Sequence, residues 1–191
     1  MIQEAYKALL AKEYDKALEL YTVLEVQKEP TSYYYLGFLY FKGHGVAQNT
    51  KKAFDYYLEA ATKEVPVAQF EVALMLENAE GCEQNESEAA FWYEEAAKRG
   101  NMDAYNNLGA MFKEGRGVPQ DYKKAFVLFS KAANAGNAKA QFNLGALYDM
   151  GLGCDEDKEK SIEWCRKAAY QGHKMAEGII KRMQHDGQIV F

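Results

Sequence analysis

Ala104-Tyr105-Asn106-Asn107-Leu108-Gly109-Ala110-Met111-Phe112-Lys113-Glu114-Gly115-Arg116-Gly117-Val118 is the stretch on which the fold turns. Its Leu-Gly pair, followed three residues later by an aromatic, returns as Leu36-Gly37-Tyr40, Val72-Ala73-Leu76 and Leu144-Gly145-Tyr148, with copies spaced 36 residues apart. A fixed period in this range marks a stacked array, because each unit carries an apolar face that only its neighbours can cover.

Each copy reads as two helices. In the first, Ser32, Leu36, Leu39 and Tyr40 fall on one face at three- and four-residue spacing, as do Ala104, Leu108, Met111 and Phe112. That helix stops at Gly43-His44-Gly45-Val46, Gly115-Arg116-Gly117-Val118 and Gly151-Leu152-Gly153-Cys154, where glycine accepts the left-handed backbone. Asn49, Asn85, Asp121 and Asp157 then offer side-chain oxygens to the free amides of a second helix, predicted to start near residues 50, 86, 122 and 158. Along it recur Ala53, Ala89, Ala125 and Ser161, then Tyr57, Tyr93, Phe129 and Cys165, then the pairs Ala60-Ala61, Ala96-Ala97, Ala132-Ala133 and Ala168-Ala169. Small residues at fixed places let helix backbones approach, so these are read as packing contacts. Gly100, Gly136 and Gly172 end the helix; Glu64 takes that place in the first full copy and is expected to alter the local bend, with Pro66 opening the next helix.

The reading divides the chain into a helical hairpin cap (1–30), four repeats (31–65, 66–101, 102–137 and 138–173), and a capping helix with tail (174–191). The tail, Asp186 to Phe191, either docks on that cap or is free in solvent. The fold class is all-α: a right-handed α-solenoid of stacked antiparallel helix pairs.

The pattern Ala-x-x-x-Leu-Gly-x-x-Tyr/Phe-x-x-Gly-x-Gly-Val, closed by Ala-Ala-x-x-Gly, resembles the Sel-one-like repeat (SLR), a relative of the tetratricopeptide repeat, across residues 31 to 183. The 36-residue period and the glycine-bounded loop separate it from the 34-residue tetratricopeptide unit. The copy at 67–101 departs most, with Ala73 and Ala79 for glycines and Cys82 for valine, and its loop is expected to differ in shape because alanine resists the left-handed backbone. The resemblance implies a bacterial α-solenoid that recruits proteins or peptides and carries no chemistry of its own. It also supplies an enzymatic alternative, since cysteine-rich SLR proteins bind or hydrolyse β-lactams, although their cysteines are paired within each repeat and here only Cys154 and Cys165 share one. A third reading is a partner that neutralises a secreted bacterial toxin.

Composition limits the alternatives. A net charge of -5 over 191 residues, with no basic stripe, argues against nucleic acid as a partner. No run of about 18 apolar residues occurs, so no membrane span is read. Met1 to Lys7 lacks a basic segment followed by an apolar core, so a cytoplasmic location is expected; a chain from which a signal had been removed would look the same, which leaves the secreted and periplasmic readings open. The 3 cysteines are read as small buried apolar residues in a reducing compartment, and Cys82 with Cys154 as unable to pair. His44, His173 and His185 show no ligand spacing, so no metal and no cofactor are assigned. A monomer is favoured.

In a superhelix of helix pairs the first helices line the concave side. The register predicted to face it is Thr31, Tyr34, Phe38 and Phe41; Val67, Phe70, Leu74 and Glu77; Asp103, Asn106, Ala110 and Lys113; and Lys139, Phe142, Ala146 and Asp149. Tyr34, Phe38, Phe41, Phe70 and Leu74 read as anchors for an apolar or aromatic side chain of a partner segment, with Glu77, Asn106 and Lys113 as polar fixing points. Residues 67–101 also concentrate acids, namely Glu71, Glu77, Glu80, Glu83, Glu86, Glu88, Glu94 and Glu95 against Lys98 and Arg99. Such a cluster reads as a solvated face or as a surface for a basic partner.

Overall fold

The computed structural model describes residues 1–187, which form eleven helices and no strand. They are α1 (Ile2–Leu10), α2 (Tyr14–Val26), α3 (Pro30–Lys42), α4 (Thr50–Thr62), α5 (Pro66–Asn78), α6 (Glu86–Lys98), α7 (Met102–Glu114), α8 (Tyr122–Asn134), α9 (Ala138–Met150), α10 (Lys158–Tyr170) and α11 (Lys174–His185). The chain is all-α, built of helix pairs packed in sequence order. Its helices group into two compact units, Met1–Asn101 and Met102 onward. The tail from Gln188 to Phe191 lies outside the described residues.

From α2 to α10 every helix has 13 residues, a length at which an isolated helix is marginal in water. Packing therefore has to hold it, and most of the predicted set is buried, with Tyr40, Phe112, Ser161 and Ala169 half-buried instead. Ala17, Ala53, Ala89 and Ala125 are fully buried, and Tyr21, Tyr57, Tyr93 and Phe129 nearly or fully so. The glycine of the Leu-Gly pair is explained by these rings: a Cβ on Gly37 would come 2.7 Å from Tyr57, and one on Gly109 would come 2.8 Å from Phe129. In these two pairs an aromatic ring of the second helix is thus seated against a bare stretch of the first.

The second helices start where the capping residues place them. Asn49, Asn85, Asp121 and Asp157 accept the backbone N–H of Lys52, Glu88, Lys124 and Lys160, at 2.9, 3.2, 3.0 and 3.0 Å. Removing one such cap costs about 1 kcal/mol of helix stability. The lysines among these residues then reach back over the first helix: Lys52 lies 4.1 Å above the Tyr40 ring, Lys124 5.0 Å above Phe112 and Lys160 5.3 Å above Tyr148. The copy at 67–101 has Glu88 and Leu76 at these positions and forgoes the contact.

Two sequence expectations are corrected. Ala79 adopts the left-handed backbone (φ 57°, ψ 36°) that Gly43 and Gly151 adopt. Its loop also keeps the hydrogen bonds of the others: Glu80 N–H to Met75 C=O, as His44 to Leu39, and Asn85 to Leu76, as Asn49 to Tyr40. Gln48, Gln84 and Gln120 likewise donate to the carbonyls of Phe41, Glu77 and Lys113, at 2.9, 2.9 and 2.8 Å. The loop keeps its shape because a Cβ at this register overlaps no backbone: in the first copy it would lie 3.2 Å from Gln48 Cβ and 3.4 Å from the Gln48 nitrogen. The indispensable glycine is the second of the pair. On Gly81 a Cβ would fall on the backbone carbonyl of Thr50, and on Gly153 on that of Tyr122, at the start of the second helix of the preceding pair. Glu64 likewise takes φ 62°, matching Gly100 and Gly136 in hand, and Val65 N–H reaches Ala60 C=O as Asn101 reaches Ala96. The bend is unaltered because a Cβ at Gly100, Gly136 or Gly172 meets nothing within 4 Å.

Candidate partner-binding faces

In the first unit the predicted row is placed on α3 and α5, and Tyr34, Phe38, Phe41, Phe70, Leu74 and Glu77 are all half-buried. Several are held in place by their own neighbours. Tyr34 packs against Tyr35 and Tyr57, with ring centroids 5.2 and 5.5 Å away. Phe38 meets the edge of His44 at 6.0 Å, and His44 stacks on Tyr14 at 4.1 Å. Lys42 lies 5.1 Å over Phe41. Phe70 tilts against Tyr93 at 5.7 Å, and Tyr93 donates a 2.6 Å hydrogen bond to Glu77. The result is a row of rings with fixed orientation and partly open faces, the kind of surface that loses little conformational entropy when a partner covers it.

Glu71, one residue away from the predicted row, belongs to the same face. It comes close enough to Tyr34 and Tyr57 that its charge helps to push both phenols up, after burial, which is the larger cause; Tyr34 rises to about 12. The Glu71 carboxyl is itself raised, by burial first and by Glu80, against the opposing pull of Lys42. A carboxyl whose pKa rises on folding adds stability while it is protonated and loses it as pH climbs through the raised value. Glu71→Gln is therefore expected to raise the thermal midpoint at pH 7 and to lose that advantage as pH falls below the ordinary carboxylate range. Thermal melts of both proteins from pH 3 to 8 check it.

Other acids of the same unit are already engaged. Lys98 pairs with Glu94 and Glu95 at 3.0 and 2.9 Å, and Arg99 with Glu95 and Glu64 at 3.0 and 3.2 Å. Their partners hold Glu95 below the usual carboxylate range.

In the second unit, Lys113 is half-buried on α7, whereas Asn106 is turned into the packing at 6% exposure. Its amide donates to Asn107 at 3.2 Å and accepts from Asn143 at 2.9 Å. Asn106 thus acts first as a link between α7 and α9. Phe142, Ala146 and Asp149 share a cavity between α9, α10 and α11.

All three cysteines are free thiols, and burial raises each pKa, so none is activated toward the thiolate. Cys165 is buried as expected. Cys82 and Cys154, expected to be buried, are half-buried, with their thiols donating to the carbonyls of Met75 and Leu147 at 3.5 and 3.7 Å. Among the described residues, no group of three or more His, Cys, Asp or Glu is placed to hold a metal ion, and no helix is long and apolar enough to cross a membrane.

Two solved structures resemble the chain closely. A Sel1 repeat protein from Oxalobacter formigenes superposes with a TM-score of 0.88 at 30% identity, covering 95% of this chain and 74% of that one. The protein c5321, a protective antigen present in uropathogenic Escherichia coli strains and displaying an SLR fold, gives 0.87 at 30% identity over 91% of this chain, which spans only 37% of c5321. The immunity protein PA5088 from Pseudomonas aeruginosa, at 20% identity and a TM-score of 0.56 over 99% of this chain and 84% of its own, shares the fold alone. No curated protein matches. The Sel1 repeat model matches residues 30–64, 66–101, 103–137 and 138–173, and with the glycine-seated rings and capped loops described above this places the chain in the Sel1 repeat family.

Proposed function

We propose that the protein is a non-catalytic scaffold that holds a segment of a protein partner against its first helices, with Tyr34, Phe38, Phe41, Phe70 and Leu74 as apolar contacts and Glu77 as a polar one. Lys113 serves the same role on the second unit, whereas Asn106 is committed to the packing. The observation that carries this reading is the contrast between registers. Stacking positions repeat from copy to copy, whereas on α3 and α5 the row at 34, 38, 41, 70 and 74 is aromatic or aliphatic and half-buried, and its rings are oriented by neighbours. Partner recognition accounts for that difference, since binding energy concentrates in a few preformed aromatic anchors.

The test is the double variant Phe38→Ser/Phe41→Ser. With its helical circular dichroism intact, it is expected to lose more than tenfold in capture of the proteins that the wild-type chain retains from lysate. Undiminished capture would overturn the assignment of this face.

A further inference from the structure

The fourth helix pair departs from the rule that the others obey. Where Tyr57, Tyr93 and Phe129 lie buried against the first helix of their own pair, the same register holds Cys165, while Gly145 opposite it is kept. Both sides of the contact are therefore small. The backbone of α10 closes part of the gap, since a Cβ on Gly145 would come 3.1 Å from the Ser161 carbonyl oxygen, whereas on Gly37 or Gly109 it would strike a ring. Beside that contact, on the Cys165 and Ala146 side, the packing stays open. Ser161 is half-buried where Ala53, Ala89 and Ala125 are fully covered, and a cavity of about 500 Å³ remains, lined by Phe142, Ala146, Ile162, Cys165, Ile179 and Met183.

The walls of this cavity are set in advance. Phe142 stacks on His173 at 4.6 Å, and the His173 ring accepts the Ala176 N–H at 3.4 Å to cap α11, so the ring that borders the cavity is tied to a helix terminus. At one end Lys158 pairs with Asp149 at 3.1 Å and donates to the Asp149 carbonyl at 2.7 Å. That carbonyl is the register that Gln48, Gln84 and Gln120 serve in the other copies, so the lysine is oriented by a contact the repeat always makes.

We propose that this cavity receives one aromatic side chain, a phenylalanine or tyrosine ring, from a protein partner lying along the first helices of the second unit. The occupant follows from the interface that the repeat uses inside itself. In three sibling pairs this register holds a six-membered ring against the first helix, and here the chain withholds the ring and keeps the glycine. The volume exceeds one ring and lies in the range of small-ligand pockets, so the backbone flanking the ring fits as well. The Asp149 carboxylate, which Lys158 engages through one oxygen, offers an acceptor to those peptide groups. The inference rests on the partner-binding reading and deepens it, but its test needs no partner.

The experiment follows the methyl signals of Ile162, Ile179 and Met183 by NMR while N-acetyl-phenylalanine methylamide is added at millimolar concentration, with the alanine analogue as reference. Saturable shifts are expected with the phenylalanine compound, and shifts at least tenfold weaker with alanine. Cys165→Phe, which returns the missing ring from inside, is expected to abolish the response without lowering the thermal midpoint. If that variant fails to fold, Ala146→Leu narrows the cavity from α9 and is expected to weaken the response in the same way. Equal shifts with both compounds, no shift with either, or a response that survives the filled cavity would overturn the proposal. Loss of the pocket response while Phe38→Ser/Phe41→Ser still abolishes capture removes this anchor alone; the reverse pattern removes the first-unit face alone.

Discussion

Gly81→Ala is expected to lower the thermal midpoint by roughly 10 °C, corresponding to about 3–5 kcal/mol for a chain of this size. Two costs combine. The residue sits at φ +74°, which costs an L-amino acid about 1–2 kcal/mol. In addition, its new Cβ would overlap the Thr50 carbonyl and stand 2.9 Å from the Lys51 nitrogen, both backbone atoms that no rotamer change can move. Gly100→Ala is the control, since Gly100 shares the left-handed backbone (φ +90°) but faces open space. It is expected to lose only the backbone cost. Circular dichroism melts of the two variants measure the difference, and equal losses would show that the loop does not seat on the start of α4 as described.

Phe129→Ala is the second large effect, expected to cost about 3–5 kcal/mol, because the ring is fully buried and the helices around it cannot close the space completely. The partner substitution makes this prediction sharper. Gly109→Ala alone forces a Cβ to within 2.8 Å of the ring and is expected to cost about 1–3 kcal/mol. In the Phe129→Ala background the same Cβ enters vacant space, so its effect should fall to zero or become stabilising. A double-mutant cycle reads this change of sign directly, and additive losses would deny that glycine and ring form one contact.

Much of the architecture is legible in the sequence because it depends on local chemistry. Helix starts follow from Asn49, Asn85, Asp121 and Asp157, each of which caps an amide three residues away. The glycine of each Leu-Gly pair announces a close approach before its partner is known. What misled the reading of Ala79 and Glu64 was a cost assigned from backbone conformation alone. Their φ values are unfavourable, yet a Cβ meets open space at the Glu64 register and no overlapping backbone at the Ala79 register, and the real constraint is a contact between Gly81 and a helix some thirty residues earlier, which no local pattern reveals.

The candidate faces are legible to a different degree. Periodicity finds the row on α3 and α5, but not that His44 covers the edge of Phe38 or that Tyr93 backs Phe70. The sequence shows Glu71 only as one acid of the 67–101 cluster, because it belongs to a neighbouring register, where Tyr35, Asn107 and Asn143 share no chemical type with it; only the proximity of Tyr34 and Tyr57 shows its role. Asn106 illustrates the opposite error of reading exposure from register, since an amide paired with Asn143 is better used inside. Cys165 stands out in the sequence as the non-aromatic member of its series, but whether α10 would close over it depends on packing distances.

The seat beneath the second loop glycine has a consequence for how such a chain diversifies. Gly45 approaches the carbonyl of Tyr14, Gly81 that of Thr50 and Gly153 that of Tyr122, so neighbouring pairs recognise one another through peptide groups whose side chains differ each time. A joint written in backbone is blind to side-chain substitution. Copies can therefore be duplicated, exchanged or rewritten on their outward faces without renegotiating the joint, and selection for a new partner can act on one copy while the mechanical coupling of the array is inherited unchanged.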